Sequence, residues 1–215
     1  MWPPKNRGFT LVEVMIAAAI LALIMAIIYG AFAGSLKTME ISREGGEVYR
    51  KARLILNRMA QEVSCAHLPF EQAISGIQYA FIGEDREEDG IPQDTVHFIS
   101  TAFPLRGPSK GLKEVGYYIS PDPETDEPAL LMREDTTPDD RSDEGGRNYL
   151  LAEGIWGLDF TYYDDGGREW KRWDTTTPLF AGKLPQLIKI SIFCKDERGE
   201  PFSLTTTAYI PVTGD

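Results

Sequence analysis

The sequence predicts an α+β protein. One long N-terminal helix, its first half transmembrane and its second half amphipathic, packs on antiparallel β-sheets. Three observations carry this. Residues Val14–Ala33 are 20 consecutive uncharged, mostly apolar residues. Beyond them, apolar residues recur at three- and four-residue spacing as far as Val63. From Ile74 onward the pattern changes to short β-type runs bounded by turn residues.

Each element follows from its residues. The leader, residues 1–8 ("MWPPKNRG"), is short and basic, and its two prolines exclude a helix. A helix of about 20 residues spans roughly 30 Å, the thickness of a bilayer's hydrocarbon core, so residues 9–33 are long enough to cross it. Lys5 and Arg7 precede the span, whereas Lys37, Glu40, Arg43 and Glu44 follow it with mixed sign. The positive-inside rule therefore places the N-terminus in the cytoplasm. Residues 34–66 continue the helix with an apolar stripe of Val48, Ala52, Ile55, Met59 and Val63. Arg50, Lys51, Arg53, Asn57, Arg58, Gln61 and Glu62 fill the rest of the wheel, and Pro69 ends it. Gly45-Gly46 predicts a bend or weak point, since each glycine costs about 1 kcal/mol inside a helix.

Residues 70–215 form a β-rich globular domain of about seven strands. "TVHFIST" alternates as a strand. Glu114–Ser120 and Ala129–Asp135 make a hairpin around the acidic "PDPETDEP". Leu158–Tyr163 and Glu169–Trp173 pair across Asp164-Asp165-Gly166-Gly167, and Leu187–Cys194 pairs with Phe202–Ile210. Thr136–Asn148 is polar and reads as a loop.

Composition narrows the chemistry. With 22 basic and 33 acidic side chains the net charge is −11, which excludes a broad phosphate-tracking surface, so no nucleic-acid partner is expected. Cys65 and Cys194 either form a disulfide, if the domain is extracytoplasmic, or are separate buried thiols. No zinc spacing occurs among the cysteines and histidines. "DREEDGIPQDTV" begins like an EF-hand loop but carries Val96 where the bidentate glutamate belongs. No metal ligands and no cofactor are expected, with calcium in an acidic loop (Asp85–Val96, Asp122–Glu127 or Asp139–Glu144) left open. No G-x-S-x-G, H-E-x-x-H or P-loop occurs, so no catalytic residue is expected and the chain reads as a non-enzyme.

The sequence "RGFTLVE" followed by the apolar run resembles the type III signal of type IV pilins and pseudopilins. The family pattern is a basic leader ending in glycine, then phenylalanine, then a glutamate. Here these are Gly8, Phe9 and Glu13. The resemblance implies that a prepilin peptidase cuts between Gly8 and Phe9 and methylates the new amine of Phe9. It also implies that Glu13 pairs with the N-terminal amine of a neighbouring subunit, with a partner in cis or water as the alternative before assembly. Such a pair sets register, because a subunit at the wrong height leaves a lone charge in a low-dielectric core. Loss of Lys5 and Arg7 would take the side-chain charge from −11 to −13. Two rivals are a secretory signal cut after Ala31-Phe32-Ala33 and a plain anchor; neither accounts for Glu13.

The body is similar to the J-class minor pseudopilins of type II secretion, through Tyr162-Tyr163-Asp164, Trp170, Trp173, Leu184 and Pro185. That resemblance implies a minor pseudopilin at the tip of the pseudopilus, which helps start its assembly and export folded periplasmic proteins. The implied partners are the I-, K- and H-class minor pseudopilins, the major pseudopilin, the prepilin peptidase and the inner-membrane assembly platform. The implied location is a single pass of the inner membrane with the globular domain periplasmic, and later the pseudopilus. The alternative is a minor pilin of a type IV or DNA-uptake pilus. A membrane-anchored extracytoplasmic enzyme or binding domain is the third class.

Overall fold

A computed structural model describes residues 10–68, 79–105, 111–122, 124–139, 145–196 and 199–211; the side chains of residue 31 and residues 33–47 fall outside that description. Helix α1 runs Leu11–Ser64 and is helical through Gly45-Gly46. The chain divides into two compact units, Met1–Glu47 and Val48–Asp215, so the boundary falls one residue after the glycine pair.

In the first unit, Leu11–Gly30 has a mean hydropathy of 2.9 and no part of it is buried. In the second unit, the last turns of α1 contribute Ala52, Leu56, Met59 and Val63 to the core, with Ile55 only half-buried. The buried line steps by four, three and four residues. Leu56 therefore joins the stripe, and Val48, half-buried at its start, stays outside the core cluster.

The strands are β1 (Ile82–Glu84), β2 (Glu87–Glu88), β3 (Ile91–Pro92), β4 (Thr95–Ser100), β5 (Lys113–Pro121) and β6 (Pro128–Asp135), followed by β7 (Arg147–Glu153), β8 (Ile155–Tyr163), β9 (Glu169–Trp170), β10 (Trp173–Asp174), β11 (Leu187–Lys195) and β12 (Pro201–Tyr209). They build a six-stranded sheet in the order β10-β1-β4-β5-β6-β7, a four-stranded sheet in the order β12-β11-β8-β9, and the small β2–β3 hairpin. All strand pairings are antiparallel. Phe81, Phe98, Tyr117 and Met132 of the larger sheet's side meet Leu158, Phe160, Tyr162 and Ile190 of the smaller sheet in one core. Gly83 admits the close approach of Tyr162: a Cβ there would lie 2.0 Å from the phenol oxygen.

Two expectations change. The run Glu169–Trp173 is not one strand. It breaks at Lys171-Arg172, and Trp173 crosses to the six-stranded sheet, where it pairs with Gly83 and is buried against Phe180. The loop reading of Thr136–Asn148 ends early, because β7 begins at Arg147 and pairs with β6. Asp85–Val96 holds the β2–β3 hairpin, and Asp89 and Gly90, both at positive φ, form its tight turn.

The two thiols are not joined. Cys194 lies on β11 beside Val48, Ala52 and Ile55, near the first packed turns of α1. Cys65 sits just past the other end of the helix, where its carbonyl accepts the Thr101 N–H. The 13 residues from Ala52 to Cys65 rise about 20 Å, well beyond the roughly 7 Å Cα limit for a bridge. Both are free thiols, Cys194 buried and Cys65 half-buried, and burial raises the pKa of each, that of Cys194 to about 11.

Candidate assembly site

The start of α1 is a capping box. Thr10 precedes the helix, and its carbonyl accepts the Val14 N–H at 3.3 Å. The Thr10 N–H and hydroxyl both donate to Glu13 Oε2, at 2.9 and 3.0 Å. The Glu13 N–H donates in return to Thr10 Oγ1 at 3.3 Å. Thr10 is therefore the N-cap and Glu13 the third helical residue, so each satisfies a backbone donor that the helix leaves unpaired. The negative side chain also sits at the positive end of the helix dipole. The signature T-x-x-E before an apolar run stands in the sequence, but the resemblance drew attention to Glu13 alone. In a single chain Glu13 thus has hydrogen-bond partners. Gly8 and Phe9, the expected cleavage and methylation positions, lie outside the described residues.

C-terminal to this box the helix is apolar around its whole circumference. Val14, Met15, Leu23, Ile27 and Phe32 are each more than half exposed. Fully burying one such side chain is worth about 1.5–3 kcal/mol, so this surface requires lipid or neighbouring helices.

The other end of α1 is fixed by charge. Glu62 was expected on the solvent side of the helix, but it is buried. The cause is Lys113 on β5, whose Nζ lies 2.9 Å from Glu62 Oε1 and 2.8 Å from Glu134 Oε2 on β6. Lys113 also donates to the Phe103 carbonyl at 3.1 Å, and the Leu105 N–H donates to Glu134. Arg58, one turn before Glu62, stands at 4.0 Å from it. Two carboxylates facing two cations bring the cluster close to neutrality, which buried charges require. The cluster joins the helix, two strands and the β4–β5 connection. Sequence pattern could not expose it, because its members are distant in the chain and each has the composition of a surface residue.

Two further buried acids, Asp94 and Asp122, serve the fold. Asp94 is buried and accepts the Arg86 N–H at 3.0 Å and the Phe160 N–H at 2.7 Å, tying the β2–β3 hairpin to β8. Asp122 accepts the Glu124 N–H within the β5–β6 turn. Among the described residues no three acidic, histidine or cysteine side chains are grouped to hold a metal ion. Of the body residues behind the J-class resemblance, Tyr162 and Trp173 are core. The indole N–H of Trp170 donates to Asp164 Oδ2 at 3.0 Å, closing the β8–β9 turn.

Residues 3–29 match the family model of the prokaryotic N-terminal methylation motif. The match supports a type IV pilin-like protein. It indicates a membrane-anchored structural subunit, processed by a prepilin peptidase and assembled with other pilins. No curated protein matches the chain.

Proposed function

We propose that this chain is a minor pseudopilin of a type II secretion system, placed at the pseudopilus tip to start assembly and help export folded periplasmic proteins. The observation that carries the reading is the methylation motif at residues 3–29 on a helix whose span exposes apolar surface on every side. Such a helix is stable in lipid, and it is equally suited to a bundle of like helices. The Tyr-Tyr-Asp, tryptophan and Leu-Pro features of the body favour the J class. The same reading puts the N-terminus in the cytoplasm and residues 70–215 in the periplasm.

Glu13 acts in this scheme by exchanging partners. It leaves the Thr10 cap for the methylated amine of Phe9 on a neighbouring subunit as the span moves from lipid into the filament. The exchange keeps the carboxylate paired at both ends of the transfer, which lowers the cost of moving it.

The test is co-purification of the full chain with I- and K-class pseudopilins from one gene cluster. Stable capture is expected, and Glu13→Ala is expected to retain cleavage after Gly8 while losing incorporation. Capture by subunits of a retractable pilus instead would replace this reading with the minor-pilin one.

A further inference from the structure

Among the described residues the two larger sheets have four edges, and three of them are blunted. β9 and β10 are two residues long. β7 carries Arg147 and Glu153 at its ends and a register shift against β6. Short edges, charges and irregular pairing are the devices by which proteins prevent unwanted strand addition. β12 has none of them. It runs nine residues, PFSLTTTAY, without one charged side chain, and stays in unbroken register with β11 throughout. Its single proline is its first residue, and among the described residues no strand pairs with its outer side.

The direction of its backbone groups is fixed at both ends of the ladder. Ile210 N–H donates to the Gln186 carbonyl, and Asp196 N–H donates to the Glu200 carbonyl. Both are directly opposed pairs in the register of β11 with β12, so the even-numbered residues bond to β11. The close Ser191–Thr205 hydroxyl contact, 3.0 Å, agrees with Thr205 belonging to the alternate, non-bonded set. Ser203, Thr205, Thr207 and Tyr209 therefore turn their N–H and C=O groups to the free edge, and their side chains are exposed.

We propose that this edge is a pairing surface whose occupant is β12 of a second copy of the chain, antiparallel across a two-fold axis. Among the described strands β12 alone is regular, uncharged and free on one side, so it is the strand of this chain suited to the edge. With Thr205 opposite Thr207 and Ser203 opposite Tyr209, the two-fold repeats each contact twice. It places hydroxyls against hydroxyls and sets no like charges across the ladder, which is the usual obstacle to a strand pairing with itself. The two four-stranded sheets would join into one of eight. Because each copy carries a net charge of −11, the contact is expected to tighten as salt screens the repulsion. The inference does not rest on the pseudopilin reading.

The experiment is residue-resolved amide exchange on the full chain, at low and high protein concentration and at two salt concentrations. The Ser203, Thr205 and Thr207 amides are expected to slow at least tenfold with concentration, more so at high salt, while those of Phe202, Leu204 and Thr206 stay slow throughout. Thr205→Pro removes a free-edge donor without removing a ladder bond, so it is expected to abolish the concentration dependence and keep the Phe202, Leu204 and Thr206 protection. Thr205→Lys, which keeps the N–H but adds a charge, is expected to weaken it. Odd-numbered amides that exchange rapidly at every concentration would overturn the proposal. So would a concentration dependence that survives both variants, which would place the contact elsewhere, as in helix association through the span.

Discussion

The two halves of α1 face different surroundings with the same backbone. Beyond Glu13 the span to Gly30 is apolar on all sides and exposed, whereas the turns from Val48 to Ser64 bury one apolar line, Ala52, Leu56, Met59 and Val63, together with Glu62, and leave the rest half-buried or exposed. The difference teaches where each half gains its stability. The rear half is held by its own domain, through a core and one buried ion cluster. The front half has only its cap, Thr10 with Glu13, and depends on lipid or other helices for everything else. Substitutions in the rear half should thus register in the folding of the isolated molecule, and substitutions in the front half only in its environment.

The largest effect is expected at Lys113. Lys113→Met leaves Glu62 and Glu134 buried with one cation fewer, and breaking such a pair costs about 3–5 kcal/mol. Urea unfolding followed by tryptophan fluorescence measures it; a cost below about 1 kcal/mol would mean that the cluster does not hold the helix. Next, Met59→Ala is expected to cost about 2–5 kcal/mol, because Met59 is fully buried. Leu54→Ala, five residues earlier and largely exposed, is expected to stay within about 0.5 kcal/mol, as is Leu23→Ala in the span. Equal losses at Met59 and Leu23 in the same unfolding experiment would erase the contrast between the halves.

A smaller effect belongs to the sheets, as a control away from the helix. Burial, reinforced by Asp159 and Asp85, pushes the Asp94 carboxyl up to about 6, although the Phe160 and Arg86 N–H groups pull it down. The folded state then binds a proton more tightly than the unfolded one. Asp94 therefore penalises the folded state fully above pH 6. The penalty eases as pH falls through 6 and is gone below about pH 4, for a gain of roughly 1.4 kcal/mol between pH 7 and pH 5. Asp94→Asn should flatten that part of the pH profile of the urea midpoint. The smallest effect is Thr10→Ala, about 1 kcal/mol of local helix stability, read as faster exchange of the first-turn amides with an unchanged urea midpoint.

How much of this was legible in the sequence follows the same division. The span and the stripe are periodic, local signals, and they gave the helix and most of its buried line. The three hairpins announced themselves by turn residues. β7 did not, because an edge strand such as Arg147–Glu153 is mostly exposed and shows little alternation. Trp173 was assigned to the wrong sheet because nothing local marks a chain that leaves one sheet for another. Glu62 and Lys113 read as solvated residues until the fold brought them within 2.9 Å. The cap is visible as T-x-x-E, and the fold supplies the local partner of Glu13 before assembly, the N–H and hydroxyl of Thr10.

In the proposed function the front half of α1 is a subunit core whose cap gives way to a partner created by processing. The mass of the mature N-terminus tests it most directly. Isolation of the full-length product from membranes, followed by N-terminal peptide mass spectrometry, is expected to yield a chain beginning at N-methylated Phe9. A mature chain that retains Met1–Gly8, or one that begins at Gly34, would contradict the account.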